Sequence, residues 1–196
     1  MGRTKTFDPG EVVRAARAVF WTRGFESASL PELQEATGLS VSSIYHSFGS
    51  KRGLFDAAVA SYLDEVARPR WQPLTAPQVR PAALVDYLVG LRTALRSSGT
   101  LPADHGCLLL NTASAPLAGD DTVARAVGAY CAELRAAIGR GVDAARPELD
   151  PAARACLADA CTGQVVAAFT LIRVDAEQAA RCLDAALTLV DPEPAG

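Results

Sequence analysis

Histidine is nearly absent from the chain, with two residues in 196, and none of its five cysteines stands in a CxxC pair of the kind that holds zinc. A catalytic reading would have to join His105 to Cys107 or to Asp104. A cysteine inside an apolar run is more often a small buried hydrophobe, so the chain is read as a non-enzyme with no cofactor and no metal. The odd cysteine count (Cys107, Cys131, Cys156, Cys161, Cys182) and the lack of a secretory signal favour reduced thiols in a cytoplasmic protein over a disulfide framework. No apolar run approaches the length of a membrane span, and no alternating strand pattern, repeat or low-complexity tract is found. Aromatic residues make up only 6%, while Ala, Leu and Val dominate the 49% that is hydrophobic. That mixture suits helices packed closely together, so the expected class is all-α.

The net charge of −3 hides an asymmetry. Residues 1–55 carry +2 and the remainder −5, which fits a protein that meets phosphate at one end. The start, Met1-Gly2-Arg3-Thr4-Lys5-Thr6, matches the permissive N-myristoylation pattern, but a basic arm before a helix explains the same residues.

Helix signals follow at once. Val12, Val13, Ala16, Val19 and Phe20 share one helical face, with Pro9 in the first turn and Gly24 as the stop. Ser29 caps a short second helix to Thr37, where Pro31 is tolerable in the first turn, and Gly38 ends it. Ser40 caps a third helix to Phe48, and Ser50 a fourth that is expected to run to about Arg68. Four prolines between Pro69 and Pro81 predict a loop there. Leu84 to Leu95 mark a fifth helix, and a polar turn is expected over 97–106 before the run Cys107 to Leu110. Later helices start at Asp120 or Asp121 and at Pro151, and Leu183, Leu187 and Val190 mark the last. The domains are read as 1–55 and 56–196.

The second and third helices, joined by Gly38-Leu39-Ser40, have the lengths and turn chemistry of a helix-turn-helix, whose glycine wants positive φ. On the third helix Ile44 and Phe48 face inward, while Ser42, Ser43, Tyr45 and His46 offer groups small or flat enough to approach base edges. Ser50-Lys51 joins unpaired helix N–H groups to an ammonium, a natural phosphate site.

Phe20, Gly24, Phe25, Leu33, Ala36, Gly38, Leu39, Ser40, Ile44, Tyr45, Phe48, Ser50, Lys51 and Leu54 stand in the order and spacing of the N-terminal domain of the TetR/AcrR family, which residues 8–58 resemble. Gln34, where a small residue is usual, and Pro31 depart from the pattern. The resemblance implies a homodimer of about nine helices on double-stranded operator DNA. Its third helix enters the major groove, its eighth and ninth helices form a four-helix dimer bundle, and a C-terminal pocket binds an inducer. Ser29, Ser40, Val41, Ser42, Ser43, Tyr45, His46, Lys51, Arg3 and Lys5 are then the expected DNA contacts. Leu183, Leu187 and Val190, with Cys161, Val165 and Phe169 on the preceding helix, are the expected dimer seam. An apolar small-molecule effector is expected among Tyr62, Trp71, Tyr87, Leu91, Cys107, Asn111, Tyr130 and Phe169. The alternatives are a redox-sensing regulator using Cys107 and a dimeric interaction protein that does not bind DNA.

Overall fold

The computed structural model describes residues 8–97 and 99–191, and every regular element among them is helical. The first is α1 (Pro9–Arg23), started by the Asp8 carboxylate accepting from Gly10 N–H at 3.0 Å. After it come α2 (Leu30–Thr37), α3 (Val41–Phe48) and α4 (Lys51–Tyr62). Each of α2 to α4 starts on a serine whose hydroxyl accepts a backbone N–H three residues on, as the sequence predicts.

Two segments differ from expectation. The chain does not leave the helix at Arg68. A π-turn (Leu63–Ala67) follows α4 directly and passes into α5 (Arg68–Thr75). In that turn Arg68 N–H reaches back five residues to Leu63 C=O, which resets the hydrogen-bond register. Pro69 thereby falls in the first turn of α5, where a missing N–H costs little, and Pro73 lies on the exposed side while Trp71 and Leu74 are buried. Hydrophobic anchoring on one face therefore outweighs the proline signal. The second difference is a single helical turn, α7 (Leu101–His105), inside the expected polar turn; Thr100 caps it and only Ala103 of its residues is buried.

The remaining helices are α6 (Ala83–Arg96), α8 (Leu108–Ala113), α9 (Asp121–Ala145), α10 (Pro151–Leu171) and α11 (Ala176–Val190), with a 3-10 turn at Pro116–Gly119. If the run 51–75 is one helix and the turn α7 is set aside, the described residues form nine. The core is continuous. It runs from Phe20, Leu33, Ile44 and Phe55 near the N-terminus through Tyr62, Leu88 and Tyr130 to Val165 and Leu183. The pair α10 and α11, joined by the short turn 172–175, makes the most extensive helix contact and packs onto α6 and α9.

Gly53 fixes how α3 meets α4. A Cβ at this position would collide with the carbonyl oxygen of Phe48, so only glycine lets the first turn of α4 close against the end of α3. Gly53→Ala raises helix propensity by about 1 kcal/mol, yet it is predicted to destabilise the protein by about 1–3 kcal/mol through that collision. Urea unfolding checks the sign, and a Gly53→Ala variant as stable as the parent would remove the constraint.

Candidate nucleic-acid interface

The turn between α2 and α3 is built as the sequence requires. Gly38 adopts φ 70°, ψ 6°, and its N–H closes α2 on Gln34 C=O at 2.9 Å. Both departures noted above, Gln34 and Pro31, lie on exposed positions of α2. Ser29 and Glu32 form a reciprocal capping box: the Ser29 N–H and hydroxyl donate to Glu32 Oε2 at 2.9 and 2.8 Å, and Glu32 N–H donates to Ser29 Oγ at 3.3 Å. These bonds, the Ser29 N–H first, and the Arg23 guanidinium hold the Glu32 carboxyl below its ordinary pKa.

On α3 the inward face carries Ile44, fully buried, and Phe48, half-buried. Facing solvent are Ser42, Tyr45, His46 and Ser47, with Ser43 and Val41 partly covered. Ser40 Oγ is engaged locally, accepting from Ser43 N–H at 3.1 Å and lying 2.9 and 2.8 Å from the Ser42 and Ser43 hydroxyls. The freest side chains of the expected set are therefore Tyr45 and His46. Ser47 joins them, although its hydroxyl was not singled out in the sequence.

Electrostatics narrow the cations. Arg14 and Arg17 pair with Glu65 at 3.3 and 2.9 Å, and Arg23 pairs with Glu32 at 3.2 Å. Arg52 pairs with Asp56 and Asp120 at 2.8 and 2.9 Å. Among the described residues up to position 55, Lys51 is the one lysine or arginine without an ion pair. Its ammonium lies 4.7 Å from the Phe25 ring centroid and 3.5 Å from Glu26 O, at the start of α4. Arg3 and Lys5 lie outside the described residues.

Polar ties join α1 and α4 to the later helices, and periodicity gave no sign of them. Trp21 Nε1–H donates to Gly106 C=O at 3.2 Å, and Leu117 N–H donates to Glu26 Oε1 at 2.8 Å. Buried beside them, the Tyr62 hydroxyl donates to Cys107 Sγ at 3.2 Å and the Cys107 thiol to the Tyr130 hydroxyl at 3.3 Å. Burial pushes both phenols well above their ordinary pKa, so they stay protonated at neutral pH.

The expected effector residues are not gathered around one cavity. Tyr62, Cys107, Tyr130 and Phe169 are packed in the core. Trp71 lines a groove between α5 and α9, Tyr87 and Leu91 line another between α5 and α6, and Asn111 lines a cleft against α1. Asn111 donates from Nδ2 to His105 C=O at 2.7 Å. The expected dimer seam also needs correction. Cys161, Val165 and Leu183 are 0% exposed within the single chain, and Phe169 and Val190 are scarcely more so. Their periodicity is that of the contacts α10 and α11 make with each other and with α6, and only Leu187 of the set is half-buried.

A helical chain that sets an exposed third helix on a capped, glycine-closed turn, with an unpaired ammonium beside it, is a helix-turn-helix protein. The model of the bacterial regulatory proteins of the tetR family matches residues 12–58. The HTH-type transcriptional repressor ComR of Escherichia coli K12 is 35% identical over 122 residues, covering 61% of this chain and 57% of that protein. The uncharacterised regulator YezE of Bacillus subtilis 168 is 34% identical over 125 residues, or 64% and 63%. The chain thus spans about three fifths of these curated relatives. A cysteine mutant of the TetR family regulator CifR, solved on a 26-base-pair operator DNA, superposes with a TM-score of 0.76 at 28% identity, over 94% of this chain and 98% of that one. Residues 12–58 thus match the family model of the tetR-type bacterial regulatory proteins, and the fold of the described residues is similar to that of the TetR family regulator CifR. No helix among the described residues is long and apolar enough to cross a membrane.

The Arg52–Asp120 tie carries a pH signature. Bonding to the Arg52 guanidinium, helped by the Val123 and Thr122 N–H groups, lowers the Asp120 carboxyl from 3.8 to about 2. A carboxyl whose pKa is depressed on folding stabilises the fold above its unfolded pKa and loses that contribution as pH falls toward the folded one. Asp120→Asn keeps an acceptor for the cap of α9 and removes the charge. The stability gap between parent and variant is therefore predicted to be flat near neutrality and to close between about pH 4 and pH 2. Unfolding curves across that range check it, and a gap independent of pH would refute the tie.

Proposed function

We propose that the protein is a homodimeric, sequence-specific DNA-binding repressor, released from its operator by a small molecule with an apolar body. The observation that carries the reading is the outer face of α3, where Tyr45, His46 and Ser47 are exposed on a helix whose position is fixed by three serine caps and by Gly53. In this reading α3 enters the major groove, while Lys51 and the first N–H groups of α4 hold a phosphate. The relatives support it: ComR is named a transcriptional repressor, and the CifR mutant is solved on operator DNA. With most nearby arginines tied to carboxylates, the contribution of Lys51 should be legible. Lys51→Ala is predicted to weaken all DNA sequences alike and to lower the salt slope by about one unit, whereas His46→Ala changes sequence preference. Anisotropy titrations at several salt concentrations check both, and an unchanged slope would withdraw Lys51 as a phosphate contact.

The dimer proposed here uses the face of α10 and α11 that points away from the chain's own core. On α10 it carries Cys156, Ala160 and Gly163, and on α11 Arg181, Ala185 and Leu189, which is 42% exposed. Small residues on α10 allow the close approach that a four-helix bundle needs. Ala160→Glu leaves the core untouched and is predicted to give a folded monomer at micromolar concentration by sedimentation velocity; a persistent dimer would place the interface elsewhere. The redox alternative has less support, because Cys107 is fully buried between two tyrosine hydroxyls and closed to an oxidant in solution.

A further inference from the structure

The largest described cleft with walls from both ends of the chain lies where the end of α1 and the residues after it face α8, the 3-10 turn and the end of α10. It has a volume of about 560 Å³, within the range of small-molecule sites. Its apolar lining includes Phe25, Leu110 and Leu117, and its polar lining includes Asn111, Ser114 and Arg173.

The charges of the cleft decide what it can hold. Two guanidiniums, Arg23 and Arg173, line it against one carboxylate, Glu26. Arg23 is paired with Glu32, and Glu26 accepts the Leu117 N–H. Arg173 makes no ion pair or hydrogen bond with any other described residue. Asn111 is fixed by its bond to His105 C=O, which leaves its side-chain oxygen without a described partner. The free polar groups are thus a planar cation, the Asn111 side-chain oxygen and the Ser114 hydroxyl beside an apolar floor. A guanidinium binds a carboxylate through two parallel N–H donors, and this arrangement favours one attached to a hydrocarbon or aromatic body.

We propose that this interdomain cleft binds an amphipathic organic carboxylate, with the carboxylate on Arg173 and the apolar body against Phe25, Leu110 and Leu117. The assignment of this molecule as the effector rests on the proposed repressor function; the binding itself does not. The position matters for coupling. The grooves lined by Trp71 and by Tyr87 lie within the later helices, so a ligand there makes no contact with α1. A ligand in the cleft touches residues 20–26 and the α8 region together, beside the Trp21–Gly106 and Glu26–Leu117 bonds that join them. Its binding energy differs between two orientations of α1, and such a difference is what shifts a population.

The test is calorimetry on the full chain with phenylacetate and octanoate as probes and their neutral amides, phenylacetamide and octanamide, as controls. The acids are expected to saturate one site per chain and to bind at least tenfold more tightly than the amides. Arg173 is exposed, so Arg173→Ala should fold normally and abolish that preference, while Arg70→Ala, in the groove lined by Tyr87, should retain it. In parallel, saturating acid should weaken operator binding at least fivefold in the parent and not in Arg173→Ala. Equal binding of acids and amides, an acid preference that survives Arg173→Ala, or no binding would overturn the site. Acid binding lost in Arg173→Ala without any effect on a measurable operator complex would uphold the site and overturn its regulatory role. Absence of operator binding in the ligand-free parent would overturn the repressor reading alone.

Discussion

The orientation of the N-terminal helices depends on Trp21. Its ring is buried, stands edge-on to Tyr62 at 4.9 Å between centroids, and donates its indole N–H to Gly106 C=O. Tyr62 in turn bonds Cys107, the residue after Gly106, so indole, phenol, thiol and the 106–107 backbone form a closed circuit. A single bond of this kind contributes about 1 kcal/mol, but a buried carbonyl left without its donor would cost about 1–3 kcal/mol. The circuit therefore acts less as glue than as a register. Any tilt of α1 that separates Trp21 from Gly106 leaves polar groups orphaned in an apolar seam.

Around that circuit the ties become progressively more exposed. Arg17 is the best protected, its side chain 13% exposed and bonded to Ser61 C=O and hydroxyl as well as to Glu65. Arg14–Glu65 and Arg52–Asp120 lie further out, where solvent screening weakens each pair. The buried circuit sets where α1 and α4 sit, and the outer pairs add to it at the surface.

The sequence was most legible where a local rule acts alone. Serine caps, stop glycines and the apolar faces of α1, α6 and α9 required nothing beyond neighbours within a turn. It was least legible where distant residues override a local signal. Pro69 and Pro73 read as a break, yet the π-turn at 63–67 and the burial of Trp71 and Leu74 keep the helix going. Nothing in the local pattern marks Gly53, because its obligatory contact is the carbonyl of Phe48 across the turn between α3 and α4. The seam of Leu183 and Val190 was real, but heptad-like spacing reports that a face is buried without reporting by what. α11 buries it against its own chain. The candidate DNA face was legible in outline through α3. The cleft was not, since its walls come from segments about 150 residues apart that share no local pattern.

The basic excess of the first 55 residues also changes meaning once the pairs are known. Four arginines there hold the fold together instead of facing phosphate, and among the described residues the free positive charge reduces to Lys51 and the dipoles of the helix starts. In a protein that binds DNA, such a surface gives weak sequence-independent attraction per subunit. Joining two such sites makes the second contact intramolecular. Among the described residues the scarcity of unpaired cations near α3 fits the dimer proposed above, in which the relative placement of the two α3 helices decides whether DNA is held.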